Sequence, residues 1–319
     1  MKKVAFHTLG CKVNQYETEA MQQLMEKAGY ICVDFGERAD VYIVNTCSVT
    51  NIADRKSRQM LHRARKMNAD AIVVAAGCYV ESAKSEIDED LSIDLVIGNN
   101  KKNEIVNIIN EYLNNKAKNK YIIDINKTEE YEEFNIKKIN DHTRAFIKVQ
   151  DGCNQFCSYC IIPFTRGRVR SRKMDNILEE VRNFSKAGYK EIVLTGIHLS
   201  SYGVDFLDES YNKRMEYLTS NEESDEEFVT KNELLDLIKN ISAIPGIERV
   251  RIGSLEPRII KESFVKKLSE IKEFCPHFHL SLQSGCDRTL KNMNRKYTAG
   301  EFLEGVKLIR KYFESPAIT

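Results

Sequence analysis

Short apolar runs alternate with amphipathic stretches through the first hundred residues, and this alternation constrains the fold more than any other feature of the chain. The apolar runs include VAFHTLGC, VYIVNTC and AIVVAAGC, and helical patterns such as NQYETEAMQQLMEKAGY lie between them. Repeated strand and helix signals predict an α/β domain with a mainly parallel sheet. At the start of the first helical pattern, Asn14 followed by Glu17 resembles an N-cap with its reciprocal acid.

A second alternation begins after residue 141. AFIKVQ, EIVLTG, RVRIGS and FHLSLQ indicate strands, and helical patterns cover residues 175–188, 231–243 and 258–273. Repeated βα units of this kind predict a barrel-like or open parallel sheet. The sequence is therefore divided into a first domain at 1–115, a linker at 116–141 and a second domain at 142–319.

Two segments depart from this regular pattern. Residues 205–233 are acidic and aperiodic in their middle, and we interpret them as a solvated insertion. The last residues, FESPAIT, stop where another apolar run is starting, so we expect the sequence to be C-terminally truncated.

Charge and cysteine content limit the functional classes. Lys and Arg total 48 against 47 Asp and Glu, so any nucleic-acid surface must be a local patch. The opening MKKVAFHTLGC is too short in its apolar part for a signal peptide, and no run approaches a membrane span. We therefore expect a cytoplasmic protein in a reducing compartment, where 9 cysteines indicate metal binding or catalysis rather than disulfides.

Three cysteines of the first domain each follow a predicted strand: Cys11, Cys47 and Cys78. In open parallel sheets, ligands gather at the carboxyl ends of strands, so these three thiols could converge although they are far apart in sequence. The alternative is that they are ordinary buried small side chains. We favour a shared metal cluster.

Another three cysteines stand in one loop after a strand, in the spacing C-x3-C-x2-C: Cys153, Cys157 and Cys160. Thiolates select zinc, copper(I) or iron–sulfur centres. A structural zinc site normally has four protein ligands, and a fourth would have to come from a distant residue. A four-iron cluster held by three thiolates instead keeps one iron free to bind a reactant.

At these residues the sequence resembles the radical S-adenosylmethionine (SAM) enzymes, whose signature has this spacing and an aromatic residue before the last cysteine, here Tyr159. The resemblance implies that the open iron chelates the methionine part of SAM. It implies also that an electron from the cluster cleaves the sulfonium to a 5′-deoxyadenosyl radical, and that Tyr159 packs near the adenine.

Two further stretches resemble cofactor-binding blocks of the same enzymes. LTGIH is similar to the second-strand motif that contacts the methionine amino group, which implicates Thr195 and Gly196. HLSLQSGCDRTLKNMNRKYT implies that Gln283, Ser284 and Arg295 line the cofactor or substrate pocket. Arg295 could pair with the methionine carboxylate.

The whole chain resembles the methylthiotransferases, through TLGCKVNQYETEAM, VNTCSVTNIADRKSRQ, AAGCYV and DGCNQFCSYCIIPFTRGRVRSR. This resemblance implies an open parallel-sheet domain whose Cys11, Cys47 and Cys78 hold a second [4Fe-4S] cluster that provides or relays sulfur. A partial (β/α) barrel with the radical-generating cluster follows. Members continue with a small RNA-binding TRAM-type domain, which is absent from this sequence.

The arginines in TRGRVRSR suggest a contact with RNA. Arg166, Arg168, Arg170 and Arg172 alternate, so an extended segment would place all four on one face, as suits phosphate binding. The alternative is a solvated basic loop.

The substrate implied by the resemblance is threonylcarbamoyladenosine beside the tRNA anticodon, methylthiolated at adenine C2. TRGRVRSR, EIVLTGIHLSSYG and NRKYT are similar to the group that acts on it. A flavodoxin-like or equivalent electron donor is expected, and the sulfur donor is not identified. The alternatives are isopentenyladenosine in tRNA, a ribosomal-protein aspartate, and a non-catalytic zinc-stabilised RNA-binding protein.

Overall fold

The structure, a computed structural model, describes residues 1–115, 119–134, 136, 143–206 and 232–319. The chain forms two compact units. The first comprises Met1–Ile136 together with Ile161–Arg168, and the second comprises Lys137–Cys160 and Val169–Thr319. Most of the insertion predicted at 205–233 lies outside the described residues.

The first unit contains a six-stranded sheet in the order β2-β1-β3-β4-β5-β6. Every neighbouring pair of strands in it is parallel, as the sequence predicts. The strands are β1 (Lys3–Thr8), β2 (Ile31–Val33), β3 (Val41–Thr46), β4 (Ile72–Gly77), β5 (Leu95–Ile97) and β6 (Asn119–Tyr121). Strand order reverses between β1 and β3, which is the position where open sheets of this kind bind ligands.

Helices cover both faces of this sheet. They are α1 (Lys12–Lys27), α2 (Asn51–Met67), α3 (Cys78–Ser82), α4 (Lys84–Glu89), α5 (Ile105–Asn115) and α6 (Ile162–Thr165). Alternate residues of β3 enter two separate hydrophobic clusters, with Tyr42 and Val44 in one and Val41 and Ile43 in the other. Because both faces of β3 are buried, its sequence is a continuous apolar run rather than an alternating one.

The first unit extends beyond the domain boundary expected at residue 115. Strand β6 lies inside the segment 116–141 that the sequence analysis treats as a linker, yet it pairs with β5. Phe134 and Ile136 are also buried. A short strand with polar neighbours carries little periodicity, so it is easily taken for a connection.

The second unit contains a curved arrangement of mainly parallel strands, as expected for a partial barrel. One sheet has the order β10-β9-β7-β8 and another the order β11-β12-β13. Only Gly253 separates β10 from β11, so the two sheets follow one another around the unit. The strands are β7 (Ala145–Asp151), β8 (Arg170–Ser171), β9 (Glu191–Gly196), β10 (Arg249–Ile252), β11 (Ser254–Leu255), β12 (His277–Leu280) and β13 (Ala317–Ile318).

Helices follow the parallel strands of the second unit. They are α7 (Met174–Lys186), α8 (Glu233–Ser242), α9 (Glu262–Ser269), α10 (Asp287–Asn292) and α11 (Ala299–Tyr312). Helix α9 is shorter than the predicted 258–273 because a 3₁₀ turn at Pro257–Ile259 precedes it. None of the helices described is long and apolar enough to cross a bilayer.

The N-cap predicted at Asn14 is wrong. Helix α1 begins after Cys11, which makes no side-chain cap hydrogen bond. The Asn14 amide lies within the helix and donates to the carbonyls of Leu9 at 2.6 Å and Thr46 at 2.9 Å. Asn14 therefore holds together the carboxyl ends of β1 and β3, a long-range role that a local sequence pattern does not reveal.

We predict that Gly77→Ala destabilises the first unit much more than Gly29→Ala. Both glycines have positive φ, +96° and +88°. A Cβ at Gly77 would lie 2.7 Å from Asn45 Oδ1 and 2.9 Å from the Thr46 carbonyl, whereas a Cβ at Gly29 would meet no atom within 4 Å. We expect a loss of about 3 kcal/mol or more for Gly77→Ala and about 1 kcal/mol for Gly29→Ala.

Urea unfolding followed by circular dichroism measures both losses. Equal losses for the two variants would show that the close approach at Gly77 does not constrain the end of β4.

Candidate functional site

The three cysteines of the first unit lie at one edge of its sheet. Cys47 and Cys78 directly follow β3 and β4, and Cys11 follows the short turn after β1. A Cβ at Gly10 would lie 2.7 Å from Cys47 Sγ, so this glycine lets the loop before Cys11 approach Cys47. Burial raises the pKa of Cys47, and the neighbouring Cys78 and Cys11 raise it further. The three cysteines therefore lie near one another at this edge, and the metal cluster that they would share stays a prediction.

A buried network of charges lies beside these cysteines, centred on Glu17. Arg166 donates to both Glu17 carboxylate oxygens, at 2.9 and 3.1 Å, and to Asn14 Oδ1 at 2.5 Å. Lys102 Nζ also donates to the Glu17 carboxylate. All three charged side chains are 1% exposed or less. Burial of this kind is tolerated only when charges are paired and hydrogen-bonded.

Asn99 connects the network to a thiol. Its Oδ1 accepts from Lys102 Nζ at 2.9 Å, and its Nδ2 donates to the Thr165 carbonyl at 2.7 Å. The same amide lies 3.6 Å from Cys78 Sγ as a donor. Hydrogen bonds to coordinating sulfur tune an iron–sulfur cluster, so Asn99 occupies a supporting position of the kind such a centre uses.

The charge balance of this region suits an anionic group. Arg166 and Lys102 share Glu17, so these three side chains carry one more positive than negative charge. The positive charge of Arg166 also acts on Cys47, where it opposes the effect of burial on the pKa. Excess positive charge beside the three cysteines would stabilise their thiolate forms, which are the forms that bind a metal cluster.

The second set of cysteines follows β7 in a loop that is fixed at several points. Asn294 Nδ2 donates to the carbonyls of Gln155 at 3.3 Å and Phe156 at 3.0 Å. Ser158 donates through its backbone N–H to Met293 and through its hydroxyl to Asn292. The loop conformation needs positive φ at Phe156, 48°, which these bonds hold in place.

The thiols in this loop are shielded and close to one another. Burial raises the pKa of Cys153 to about 12, and nearby Cys160 and Cys157 raise it as well. The Arg295 guanidinium donates to Cys157 Sγ at 3.3 Å. Metal binding deprotonates thiols, and three soft donors in one shielded loop fit an iron–sulfur cluster with an open position. Among the described residues, no three His, Cys, Asp or Glu side chains are arranged so that they could hold a single metal ion.

Gln150 joins this loop to the end of β9, where Thr195 and Gly196 lie. Its Nε2 donates to the carbonyls of Asp151 and Gly152, both at 2.7 Å, and its Oε1 accepts from the His198 N–H at 2.7 Å. A Cβ at Gly196 would lie 3.0 Å from Gln150 Oε1. Because Gly196 has no side chain, the Gln150 amide can lie close to the end of β9.

The other residues expected to bind the cofactor differ in their placement. Arg295 contacts the cysteine loop directly, and its charge acts on the half-exposed Tyr159. Gln283 is exposed and Ser284 partly buried after β12. None of the hydrogen bonds described for these two residues reaches the cysteine loop. Their roles stay predictions.

The exposed arginine row expected from TRGRVRSR is wrong for three of its four members. Arg166, Arg170 and Arg172 are 0–1% exposed, and they form ion pairs with Glu17, Asp151 and Glu180. Alternation along an extended chain predicts a shared face but does not say whether that face meets solvent or a core. Arg168 is exposed, and its contact with RNA stays a prediction.

Sequence analysis did not identify several polar side chains of the two sites. Gln150, Asn99 and Lys102 are buried and fully engaged in the bonds described above. One signal was available for Gln150, a polar residue at the end of an apolar strand and directly before the cysteine loop. Asn99 and Lys102 carry no comparable local signal because their partners are distant in sequence.

Two family models match separate parts of the chain. Residues 3–98 match the uncharacterized protein family UPF0004, and residues 147–319 match the radical SAM superfamily. The second match covers more than half of the chain.

Curated relatives match along the full length of the chain. It is 38% identical to the threonylcarbamoyladenosine tRNA methylthiotransferase MtaB of Bacillus subtilis, over 100% of this chain and 66% of the relative. It is 35% identical to MtaB of Thermotoga maritima, over 100% and 67%. A tRNA-2-methylthio-N(6)-dimethylallyladenosine synthase of Sulfurihydrogenibium is 32% identical, over 99% and 68%. The chain thus spans about two thirds of the length of these relatives.

Solved structures share the fold. The radical SAM methyltransferase TsrM of Kitasatospora setae matches with a TM-score of 0.59 at 12% identity, over 98% of this chain and 66% of that one. The cobalamin-dependent radical enzyme OxsB matches with a TM-score of 0.60 at 10% identity, over 100% and 49%. At such low identity these matches support the architecture alone.

We predict that Arg166→Ala destabilises the first unit by about 3–5 kcal/mol, because it removes one partner of a buried ion network. Arg168→Ala is the matched control, since this arginine lies two residues away and is exposed; we expect a change within about 0.5 kcal/mol. Urea unfolding of the anaerobic protein measures both. Similar midpoints for the two variants would show that the Glu17 network does not stabilise the unit.

Proposed function

The chain belongs to the radical SAM methylthiotransferases, and on that premise we propose that it methylthiolates threonylcarbamoyladenosine in tRNA, beside the anticodon, at adenine C2. The observation that carries the proposal is 35–38% identity to threonylcarbamoyladenosine tRNA methylthiotransferases along nearly all of the chain. The non-catalytic zinc-binding alternative is not supported, because these relatives are enzymes.

Membership of the radical SAM superfamily implies one four-iron cluster and SAM. Cys153, Cys157 and Cys160 would hold this cluster. When bound, the cluster would supply the electron for cleavage of the sulfonium of SAM. Arg295, already bonded to Cys157, would orient the methionine carboxylate, and Tyr159 would cover the adenine.

A second four-iron cluster in the first unit completes the proposed reaction. Cys11, Cys47 and Cys78 would hold it, and it would provide or relay the sulfur. Support comes from the convergence of three thiols at one sheet edge and from the buried positive charge of Arg166 and Lys102 beside them. Asn99 would donate to the Cys78 sulfur and so help set the potential of the cluster.

The proposed partners follow from this chemistry. The tRNA substrate agrees with the relatives, which are named for tRNA modification. Arg168 would contact its phosphates. A flavodoxin-like or equivalent protein would supply electrons, and the reducing cytoplasm would be the compartment. The sulfur donor is not identified by the sequence or by the fold.

Two other substrates belong to the same reaction class. Relatives at 32–33% identity are named for dimethylallyladenosine, which makes this modified tRNA base the second candidate. A ribosomal-protein aspartate is the third. The cysteines serve all three equally, so the choice must rest on the substrate pocket.

Mass spectrometry of digested tRNA tests the substrate. We expect cells that lack the gene to lose methylthio-threonylcarbamoyladenosine and to accumulate its unmodified precursor. Loss of the methylthio form of dimethylallyladenosine would assign the protein to the second substrate. An unchanged tRNA profile would contradict both tRNA assignments and leave the ribosomal protein to be examined.

Cysteine variants test the two-cluster arrangement. We expect alanine at Cys153, Cys157 or Cys160 to abolish reductive cleavage of SAM. Alanine at Cys11, Cys47 or Cys78 should preserve cleavage but stop sulfur insertion. Each substitution should lower the iron content by about half. Iron analysis, 5′-deoxyadenosine formation and methylthio nucleosides are the measurements.

Cys32→Ala and Cys275→Ala are the matched controls, because these cysteines lie in the first and second unit but outside both sets. They should keep full iron content. Normal methylthiolation in either set of ligand variants would contradict the assignment.

A further inference from the structure

His198, near the carboxyl end of β9, has a buried ring nitrogen whose partner is not supplied by the described residues. Its backbone N–H donates to Gln150 Oε1, and its Nδ1 lies 2.7 Å from Ser201 Oγ. Its Nε2 is shielded from solvent and has no hydrogen-bond partner in the described part of the chain. Buried polar atoms are nearly always hydrogen-bonded, so this nitrogen indicates a site for a ligand.

A second buried nitrogen with the same property belongs to Arg258, which follows β11. Its Nε donates to both Glu256 oxygens, at 2.9 and 3.1 Å, and its Nη2 donates to Gln155 Oε1 at 3.4 Å. These bonds fix the orientation of the guanidinium. Its Nη1 is buried, and no partner for it is found among the residues described. The arginine is thus held by two side chains while one N–H group remains available.

His198 and Arg258 lie on neighbouring segments, because the N–H of Glu256, two residues before Arg258, donates to the hydroxyl of Ser200, two residues after His198. The charges of Arg258 and Arg295 both act on His198, after the larger effect of burial, and together they lower its pKa to about 3. His198 is therefore neutral at physiological pH. When the Ser201 hydroxyl donates to Nδ1, the ring hydrogen lies on Nε2, which then becomes a donor.

The environment also contains one acid, and that acid is already engaged. The Glu256 side chain is 4% exposed, and both of its oxygens accept from Arg258. Its backbone N–H donates to Ser200 Oγ at 2.9 Å. Glu256 therefore orients Arg258 through Nε and leaves Nη1 without a bond to it. Two donors beside a second arginine form a receptor for an anion with paired oxygens.

We propose that His198 Nε2 and Arg258 Nη1 bind the carboxylate of the threonylcarbamoyl group of the substrate. This inference rests on the proposed function, because threonylcarbamoyladenosine ends in a carboxylate whereas dimethylallyladenosine ends in an apolar group. Arg295 is bonded to Cys157, and so it remains beside the cluster where SAM would bind. A pocket with buried donors strongly rejects a substrate that leaves them unpaired. His198 and Arg258 would therefore determine substrate specificity.

The test uses the cluster-loaded protein and two anticodon stem-loop RNAs. One RNA carries threonylcarbamoyladenosine, and the other carries the same group with its carboxylate converted to a carboxamide. For the wild-type protein we expect kcat/KM to be about tenfold or more lower with the carboxamide. Arg258→Gln and His198→Leu should each reduce this discrimination towards unity, mainly by weakening turnover of the carboxylate RNA. Iron content and cluster absorbance of each variant establish that it folds and loads.

Arg182→Gln is the matched control, because this exposed arginine lies on α7 of the same unit. It should keep the wild-type discrimination. Full discrimination in both pocket variants would overturn the proposal. The variants could instead keep their discrimination and lose turnover only because they bind SAM more weakly. That result would assign the pocket to the methionine carboxylate and would also overturn the proposal.

The stem-loop assay of the wild-type protein distinguishes a failure of this inference from a failure of the proposed function. If it modifies neither stem-loop but modifies dimethylallyladenosine, the proposed substrate is wrong and the pocket loses its basis. If it modifies both stem-loops equally, the substrate stands but the carboxylate is not recognised.

Discussion

The Glu17 carboxylate is the interaction on which the first unit depends. It accepts from Arg166 and Lys102 in surroundings where no water replaces a missing partner, so each member of the network requires the others. Asn14 and Asn99 extend the network to the ends of β1 and β3 and to Cys78. The edge of the sheet that carries the three cysteines is consequently held by polar contacts as well as by hydrophobic packing. Such contacts are directional, and they fix positions that packing alone would leave adjustable.

In the second unit, neutral amide side chains hold the cysteine loop in place. Gln150 is buried, and both ends of its amide are used, so the cysteine loop and the end of β9 are fixed by one side chain. Asn294 holds the same loop from the other side through two backbone carbonyls. A cofactor that binds through an open iron needs its ligand loop in one conformation, because the reacting atoms must be placed accurately. The polar side chains around Cys153–Cys160 meet that requirement.

Local patterns in the sequence predicted most of the strands and helices, although not β6, and they predicted that the first-unit cysteines follow strands. Strand β3 is an unbroken apolar run because both of its faces are covered, and the three first-unit cysteines follow strands whose ends share an edge. The predictions that were wrong concern residues whose partners are distant in sequence. Asn14 and Glu17 have the spacing of a helix cap, yet Glu17 pairs with a residue 149 positions away. Likewise, nothing in TRGRVRSR distinguishes a buried arginine from an exposed one, because burial is decided by residues elsewhere in the chain. The cysteine motifs also do not distinguish the substrates, because the cysteines serve all three candidate substrates equally.

The division of the chain between the two units has a consequence for synthesis. Residues 161–168 belong to the first unit although they follow the second set of cysteines in sequence. A ribosome therefore completes the sheet and helices α1 to α5 of the first unit well before it adds the segment that supplies α6 and Arg166. During that interval Glu17 and Lys102 lack their third charged partner, and the carbonyl of Thr165 is not yet available to Asn99. The sheet edge that carries Cys11, Cys47 and Cys78 therefore gains its last polar partners only after the loop of Cys153–Cys160 has been synthesised.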